Sequence, residues 1–125
     1  LVDIRTLKYL VRGGRVSPAK GLLAKLLNIK PIITLDENGR AVAAGKSFSR
    51  KQNFKKILKL VREKQQRRPI HSFSLVHVSE PKRAEAYARE IEKICGKQVS
   101  FILDVSPVVG VHNGIGSVGI CLSYE

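Results

Sequence analysis

The glycine-rich stretch at residues 106–119 is the feature that most constrains how this chain can fold. Glycines stand at positions 110, 114, 116 and 119, and at such positions the backbone can adopt positive φ and approach other groups closely. Apolar residues alternate with others over residues 98–105 and 117–124, which predicts a strand on each side. We interpret the stretch as a turn that closes one end of a ligand cavity; the alternative is a solvated surface hairpin.

Hydrophobic periodicity predicts the order α-α-β-β-α-β-α-β-β for the chain. The predicted helices are residues 3–12, 17–30, 50–68 and 79–95, and the predicted strands are residues 31–35, 40–48, 70–78, 98–105 and 117–124. Two helices fall between strands as crossovers, which favours some parallel pairing. We therefore predict a single domain over residues 1–125 of the α/β class (α+β, two-layer). Its mixed sheet has about five strands, with the helices packed mainly on one face.

Two separated motifs resemble the DegV family of bacterial fatty-acid-binding proteins. His112-Asn-Gly-Ile-Gly-Ser-Val-Gly119 is similar to the family pattern His-x-Gly-Pro-Gly-Ala-x-Gly, with Ile115 in place of the proline. Leu10-Val-Arg-Gly-Gly-Arg-Val-Ser17 is similar to Leu-x-Arg-Gly-Gly-Arg-Ile-Ser, and Leu-Leu-Asn-Ile-Lys-Pro-Ile follows it at residues 26–32. The resemblance covers essentially the whole chain and implies the C-terminal domain of a DegV protein. The N-terminal DegV domain would then be absent, and the lack of any methionine also indicates a piece of a longer polypeptide.

His112 is the candidate ligand contact of the glycine-rich stretch. An imidazole there can donate a hydrogen bond to a carboxylate, and neighbouring backbone amides can add others; the ordinary alternative is a solvated turn residue. The resemblance places the carboxylate end of a long-chain fatty acid at this histidine, with companion hydroxyl groups from the N-terminal half. The candidate ligand-binding residues are thus His112, Asn113, Gly114 and Gly116. No catalytic companions and no Gly-x-Ser-x-Gly motif accompany them, so we predict a binding module and not an enzyme.

The chain carries 23 Lys and Arg residues against 10 Asp and Glu, a formal net charge of +13. Such an excess attracts polyanions, including nucleic acid, anionic membrane surfaces and acidic proteins. The alternative function is therefore a basic nucleic-acid-binding domain, although no aromatic residues interleave with the charges and no nucleic-acid-binding signature occurs. Specific nucleic-acid binding is not expected.

The resemblance implies instead that the basic residues dock a fatty-acid kinase, which phosphorylates the acyl group. The candidate docking residues are Arg12, Arg15, Arg50 and Lys51, with Phe48 at a position where the family commonly has arginine. The ordinary readings are a basic helix end for Arg12 and Arg15 and a solvated face for the basic helix.

Other motifs exclude further chemistry. Residues 114–119 match Gly-x-Gly-x-x-Gly, but a strand and not a helix is predicted to follow, so no dinucleotide is expected. His71 and His77 are too isolated for a metal site, and the bound fatty acid is the only predicted ligand. Two cysteines, no long apolar run and no signal peptide favour a cytoplasmic protein without a transmembrane segment.

Overall fold

Six strands and two helices make up the described part of this computed structural model, which covers residues 1–5, 29–105 and 114–125. They are β1 (Val2–Asp3), β2 (Lys30–Leu35), β3 (Ala41–Ser47), α1 (Arg50–Arg67), β4 (Ile70–His77), α2 (Pro81–Cys95), β5 (Ile102–Asp104) and β6 (Val118–Tyr124). The strands form one sheet in the order β3-β2-β1-β6-β4-β5. Among these described strands, only β4 and β5 pair in parallel; the other neighbours are antiparallel. The predicted mixed α/β sheet is confirmed, with six strands in place of about five.

The additional strand is β1, and the prediction of a helix from residue 3 is wrong at its start. β1 pairs with β2 on one side and with β6 on the other. The N-terminal amine of Leu1 donates to the Ile120 carbonyl at 2.9 Å, and the Ile120 amide donates to the Leu1 carbonyl at 2.7 Å. Two residues are too few to show an alternating pattern, so only these distant partners reveal the strand. The rest of this predicted helix, and the second one as far as residue 28, lie outside the described residues.

The predicted hairpin between β2 and β3 is confirmed. Asp36 accepts the amide hydrogens of Asn38 and Arg40 on Oδ1, at 2.8 and 2.9 Å. Gly39 takes a positive φ of 75° in the same turn. An aspartate that accepts from the amides after it, followed by a glycine, is a common turn arrangement. This turn could therefore be predicted from the sequence.

The two helix starts differ in how well the sequence predicted them. Ser49 caps α1 and accepts the Gln52 amide at 3.1 Å, as predicted. The predicted start of α2 at Ser79 is two residues early, since Ser79 has a φ of 51° and Pro81 is the first helical residue. The ring of a proline disfavours helical backbone at the residue before it, so Glu80 lies outside the helix.

The predicted strand at residues 98–105 is shorter than expected, because only Ile102–Asp104 pair with β4.

Both helices pack on the sheet through one apolar cluster. Its largest fully buried members include Tyr87 and Ile91 of α2, Ile57 of α1, and Phe73 and Leu75 of β4. The N-terminal end of α1 reaches the segment before β6, because Arg50 bonds Gly116. The N-terminal end of α2 lies beside it, because Arg83 bonds the Arg50 carbonyl. The fold therefore gathers two helix starts and the glycine turn at one end of the sheet.

Candidate ligand-binding turn and the adjoining arginine groove

The described part of the glycine turn, residues 114–117, is held in place by hydrogen bonds. The Ser117 hydroxyl donates to the Gly114 carbonyl at 2.7 Å within the turn. The Gly116 amide donates to the Val78 carbonyl at 2.8 Å, and the Val78 amide donates to the Ser117 carbonyl at 3.1 Å. The turn is therefore joined to the end of β4 and has a fixed position.

Both glycines of this turn have positive φ, 80° at Gly114 and 93° at Gly116. A Cβ added to Gly116 would lie 2.8 Å from both Arg5 Cδ and Arg50 Nη1. Only glycine combines this backbone with so close an approach of two side chains. Both glycines therefore adopt the positive φ that the sequence predicts for this stretch.

Arg50 joins α1 to the turn. It is the first residue of α1, and its Nη2 donates to the Gly116 carbonyl at 2.5 Å. Burial, followed by repulsion from Arg83, lowers the pKa of Arg50 below its ordinary value, while Asp3 acts in the opposite direction. A guanidinium has five N–H donors, so this side chain retains donors for another acceptor while it holds the turn.

Asp3 organises the buried side of the same region, at 1% exposure. Its Oδ1 accepts Asn53 Nδ2 at 3.0 Å, and its Oδ2 accepts Arg83 Nε at 2.7 Å and the Tyr87 hydroxyl at 2.8 Å. Burial first, and then the charge of Asp3, raise the pKa of Tyr87 above its ordinary value. One carboxylate thus connects β1 to both helices.

Sequence reasoning missed this network. The available signal was a lone acid between Val2 and Ile4, because a charged residue within an apolar segment is buried only with partners. The partners themselves lie 50 and 80 or more positions away, so their identity was out of reach.

A basic groove of about 700 Å³ lies between the first turns of α1 and α2; we call it the arginine groove. Its cationic side chains are Arg5, Arg50, Lys51, Lys55, Lys82 and Arg83. Phe54 forms an apolar wall, with the Arg83 guanidinium 5.7 Å from the centre of its ring. Glu80 contributes the only carboxylate among the described residues that line the groove.

The structure brings together Arg50, Gly114 and Gly116 of the predicted site residues, and Lys51 lies beside them in the arginine groove. His112 and Asn113 lie outside the described residues, as do Arg12 and Arg15. The ligand and docking roles of all eight remain predictions. What the structure adds is that Arg50 contacts the turn itself.

The sheet face opposite the helices carries small residues on β6. Gly119, Cys121 and Ser123 alternate with the core residues of that strand. A Cβ at Gly119 would lie 2.8 Å from Val76 Cγ2, so the glycine makes room for the neighbouring strand. A pocket of about 470 Å³ lies beside β1 and β6.

The sequence also predicts no metal site and no membrane-spanning segment. The structure bears on both predictions only within residues 1–5, 29–105 and 114–125. There, no group of three or more His, Cys, Asp or Glu side chains gathers in a way that would hold a metal ion. His71 pairs with Glu125 at 3.0 Å, and His77 Nδ1 accepts the Glu80 amide at 3.1 Å. No helix within those same residues is long and apolar enough to cross a membrane. Strand β6, and not a helix, follows residues 114–117, as the sequence predicts.

The fold and site define a class: a two-layer α/β domain with a glycine turn held beside a basic groove. The family model for DegV, which is described as an uncharacterised protein family, matches residues 1–125 of this chain. The chain therefore belongs to the DegV family, and the predicted resemblance is confirmed.

Known relatives are longer than this chain. A DegV domain-containing protein of Clostridium acetobutylicum is 32% identical over 123 residues, which are 98% of this chain and 43% of that protein. A fatty-acid-binding DegV family protein from Thermus thermophilus superposes with a TM-score of 0.77 at 30% identity, covering 99% of this chain and 44% of that one. DegV from Bacillus subtilis, a fatty-acid-binding protein, superposes with a TM-score of 0.74 at 28% identity over 99% of this chain and 44% of its own. The chain thus spans less than half the length of these relatives.

Proposed function

We propose that this chain forms one side of a fatty-acid-binding site, as part of a longer DegV protein that binds the acyl chain. The observation that carries the proposal is the glycine turn fixed between the end of β4 and Arg50. Fatty-acid binding by the Thermus thermophilus and Bacillus subtilis proteins supports it. A long-chain fatty acid is the ligand class.

In this proposal the carboxylate of the fatty acid lies at the turn. His112 donates a hydrogen bond to it, and the backbone at Asn113, Gly114 and Gly116 approaches it closely. Charge-assisted hydrogen bonds of this kind are stronger than neutral ones. An N-terminal DegV domain supplies the other side of the cavity, and the chain binds its ligand without chemical change.

A further part of the proposal is that the bound acyl group is presented to a cytoplasmic fatty-acid kinase. Arg50 and Lys51, together with Arg12 and Arg15, would form the docking surface. The support is the position of the arginine groove, which adjoins the turn through Arg50. A kinase that docks there would have the carboxylate within a short distance.

The test is the fatty-acid content of the full-length protein. We expect organic extraction and mass spectrometry to recover a long-chain fatty acid, and His112→Ala to weaken its binding by about 1.5–3 kcal/mol, as for loss of a hydrogen bond to a charged group. The control is His71→Ala, which removes an exposed histidine at the opposite end of β4 and should leave binding unchanged. Equal fatty-acid binding by the parent protein and His112→Ala would contradict the role of the histidine. A full-length protein that holds no lipid would contradict the function.

A further inference from the structure

Strand β1 is shorter than the two strands that flank it in the sheet. It consists of Val2 and Asp3, whereas β2 continues to Leu35 and β6 continues to Tyr124. Among the described strands, none pairs with these two extensions on the side where β1 lies. A gap one strand wide therefore remains between β2 and β6 beyond Leu1, and we call it the strand slot.

The strand slot contains the pocket of about 470 Å³ beside β1 and β6, and most of the side chains around it are apolar. Leu35 on β2 is 67% exposed. Leu122 and Tyr124 on β6 are only partly buried, although both pack against the apolar core. Large apolar side chains thus border an open space in the middle of a sheet.

The backbone of both flanking strands is directed into the strand slot. Leu1 and Ile120 exchange two hydrogen bonds, at 2.9 and 2.7 Å. The directions of N–H and C=O groups alternate along an antiparallel strand, so the next groups of β6 on this side belong to Leu122. On β2, the Pro31 carbonyl accepts from the residue after β1 at 3.2 Å, and the same alternation directs the backbone of Leu35 into the slot.

The amine of Leu1 shows which chemical group suits the entrance of the slot. It donates to the Ile120 carbonyl as the amide of a strand residue would. Burial lowers the pKa of this amine below its ordinary value, while Cys121 acts in the opposite direction. Charge is therefore unfavourable at this place. A peptide amide would make the same hydrogen bond without a charge.

We propose that the strand slot is filled by the residues that precede Leu1 in the longer DegV polypeptide, as an extended continuation of β1. Addition of a strand satisfies backbone groups that face an open position of a sheet. The registers of β1 place the position directly before Leu1 between Leu35 and Cys121, and the position before that opposite Leu122. The inference rests on the part of the proposed function that places this chain in a longer protein.

Such a strand would connect the N-terminal DegV domain to the glycine turn. β1 ends at Asp3, and its partner in β6 is Val118, which directly follows the turn at residues 114–117. A continuous strand through the slot would therefore fix the N-terminal domain relative to the turn. The orientation of the two sides of the proposed cavity would then depend on strand pairing.

Disulfide trapping in the full-length protein tests this register. One variant carries a cysteine at the position directly before Leu1, across from the native Cys121. The neighbouring pair of Leu1 and Ile120 is hydrogen-bonded, so this pair is a non-hydrogen-bonded one, with Cα atoms about 4.5 Å apart. That separation permits a disulfide. The matched variant carries the cysteine one position earlier, where the side chain lies on the other face of the sheet.

After mild oxidation, we expect the first variant to lose its introduced thiol together with that of Cys121, in a disulfide within one molecule. The matched variant should keep both thiols, and Cys121→Ser should abolish the crosslink in the first. Absence of this crosslink, or equal crosslinking from the two positions, would overturn the inference. A disulfide between two molecules would assign the slot to a strand of a second copy and would overturn it as well.

Hydrogen exchange of the unaltered full-length protein is a second measurement, which requires no substitution. The amide of Ile120 is the internal reference, because it donates to the Leu1 carbonyl at 2.7 Å. We expect the amides of Leu35 and Leu122 to exchange about as slowly as this reference, since paired amides in a sheet exchange only when it opens. Rapid exchange at both positions beside a slow Ile120 amide would contradict a strand in the slot.

Fatty-acid content is measured on the same preparations. Lipid present without the crosslink would contradict the inference while the proposed function stands. A crosslink in a protein that holds no lipid would do the reverse.

Discussion

Asp3 shows how one buried carboxylate fixes the relative positions of several elements. It receives hydrogen bonds from Asn53, Arg83 and Tyr87, so β1, α1 and α2 meet at a single side chain. A buried carboxylate that accepts from three side chains is difficult to replace, because each donor would be left without its acceptor.

Replacement of this carboxylate should be strongly destabilising. Asp3→Asn leaves Arg83 without its counter-ion, and we expect a loss of about 3 kcal/mol in the free energy of unfolding, as for other buried pairs. Urea denaturation measures it. Glu90→Gln, which breaks the exposed pair with Lys93 at 3.0 Å, should change stability by less than about 1 kcal/mol. Similar losses in the two variants would show that Asp3 has no special role.

Tyr87 makes the free energy of unfolding depend on pH in the alkaline range. Its folded-state pKa is raised, first by burial and then by Asp3, so its contribution is complete below the ordinary value near 10. Above that pH the unfolded chain releases this proton and the folded chain does not. Stability should therefore fall by about 1.4 kcal/mol for each pH unit above 10 through this group.

Tyr87→Phe is the matched variant for this pH dependence. It should cost about 1–2 kcal/mol at pH 8, because Asp3 loses a hydrogen-bond donor. The difference in unfolding free energy between the parent and Tyr87→Phe should become smaller as the pH rises from 8 to 11. A difference that stays constant over this range would contradict the assignment.

In the turn at residues 114–117, Gly116 meets two structural requirements at once. Gly116→Ala introduces both an unfavourable positive φ and a close contact with Arg5 and Arg50. Gly39→Ala introduces only the first, because nothing lies within 4 Å of a Cβ there. The pair separates backbone strain from displacement of the arginines.

We expect Gly39→Ala to lose about 1–2 kcal/mol in unfolding free energy from the backbone alone. Gly116→Ala should lose more, and in the full-length protein it alone should weaken the proposed fatty-acid binding, because Arg50 must move away from the turn. Thermal denaturation and lipid extraction measure the two effects. Equal behaviour of the variants would show that the contact with the arginines is unimportant.

Local signals account for the elements that the sequence predicted well. Ser49 at the start of α1 and Asp36 in the hairpin bond amides two to four positions away, so neighbouring residues suffice to locate them. Strand β1 depends on partners 29 to 31 positions away in β2 and 115 to 117 positions away in β6, and Arg50 contacts Gly116 across 66 positions. No periodicity reports such contacts, and for this reason one strand and the arginine groove were missed. The family motifs located the glycine turn, but not the side chains that hold it.

The net charge of +13 predicts nonspecific attraction of the protein to polyanions. Binding to random duplex DNA should be weak and should disappear as the salt concentration rises, because it depends on counterion release alone. Fluorescence anisotropy at increasing potassium chloride measures this. A tight, sequence-selective complex at physiological salt would favour the nucleic-acid-binding alternative over lipid binding.

The short strand β1 has a consequence for solubility. β2 and β3 form one part of the sheet, β6, β4 and β5 form the other, and only β1 lies between the two parts. Loss of residues 1–3 would expose β2 and β6 as unpaired edges in the middle of the molecule. Open edges of this kind pair readily with other chains. A chain trimmed by three residues is therefore expected to aggregate through its strands, although most of its apolar core would be intact.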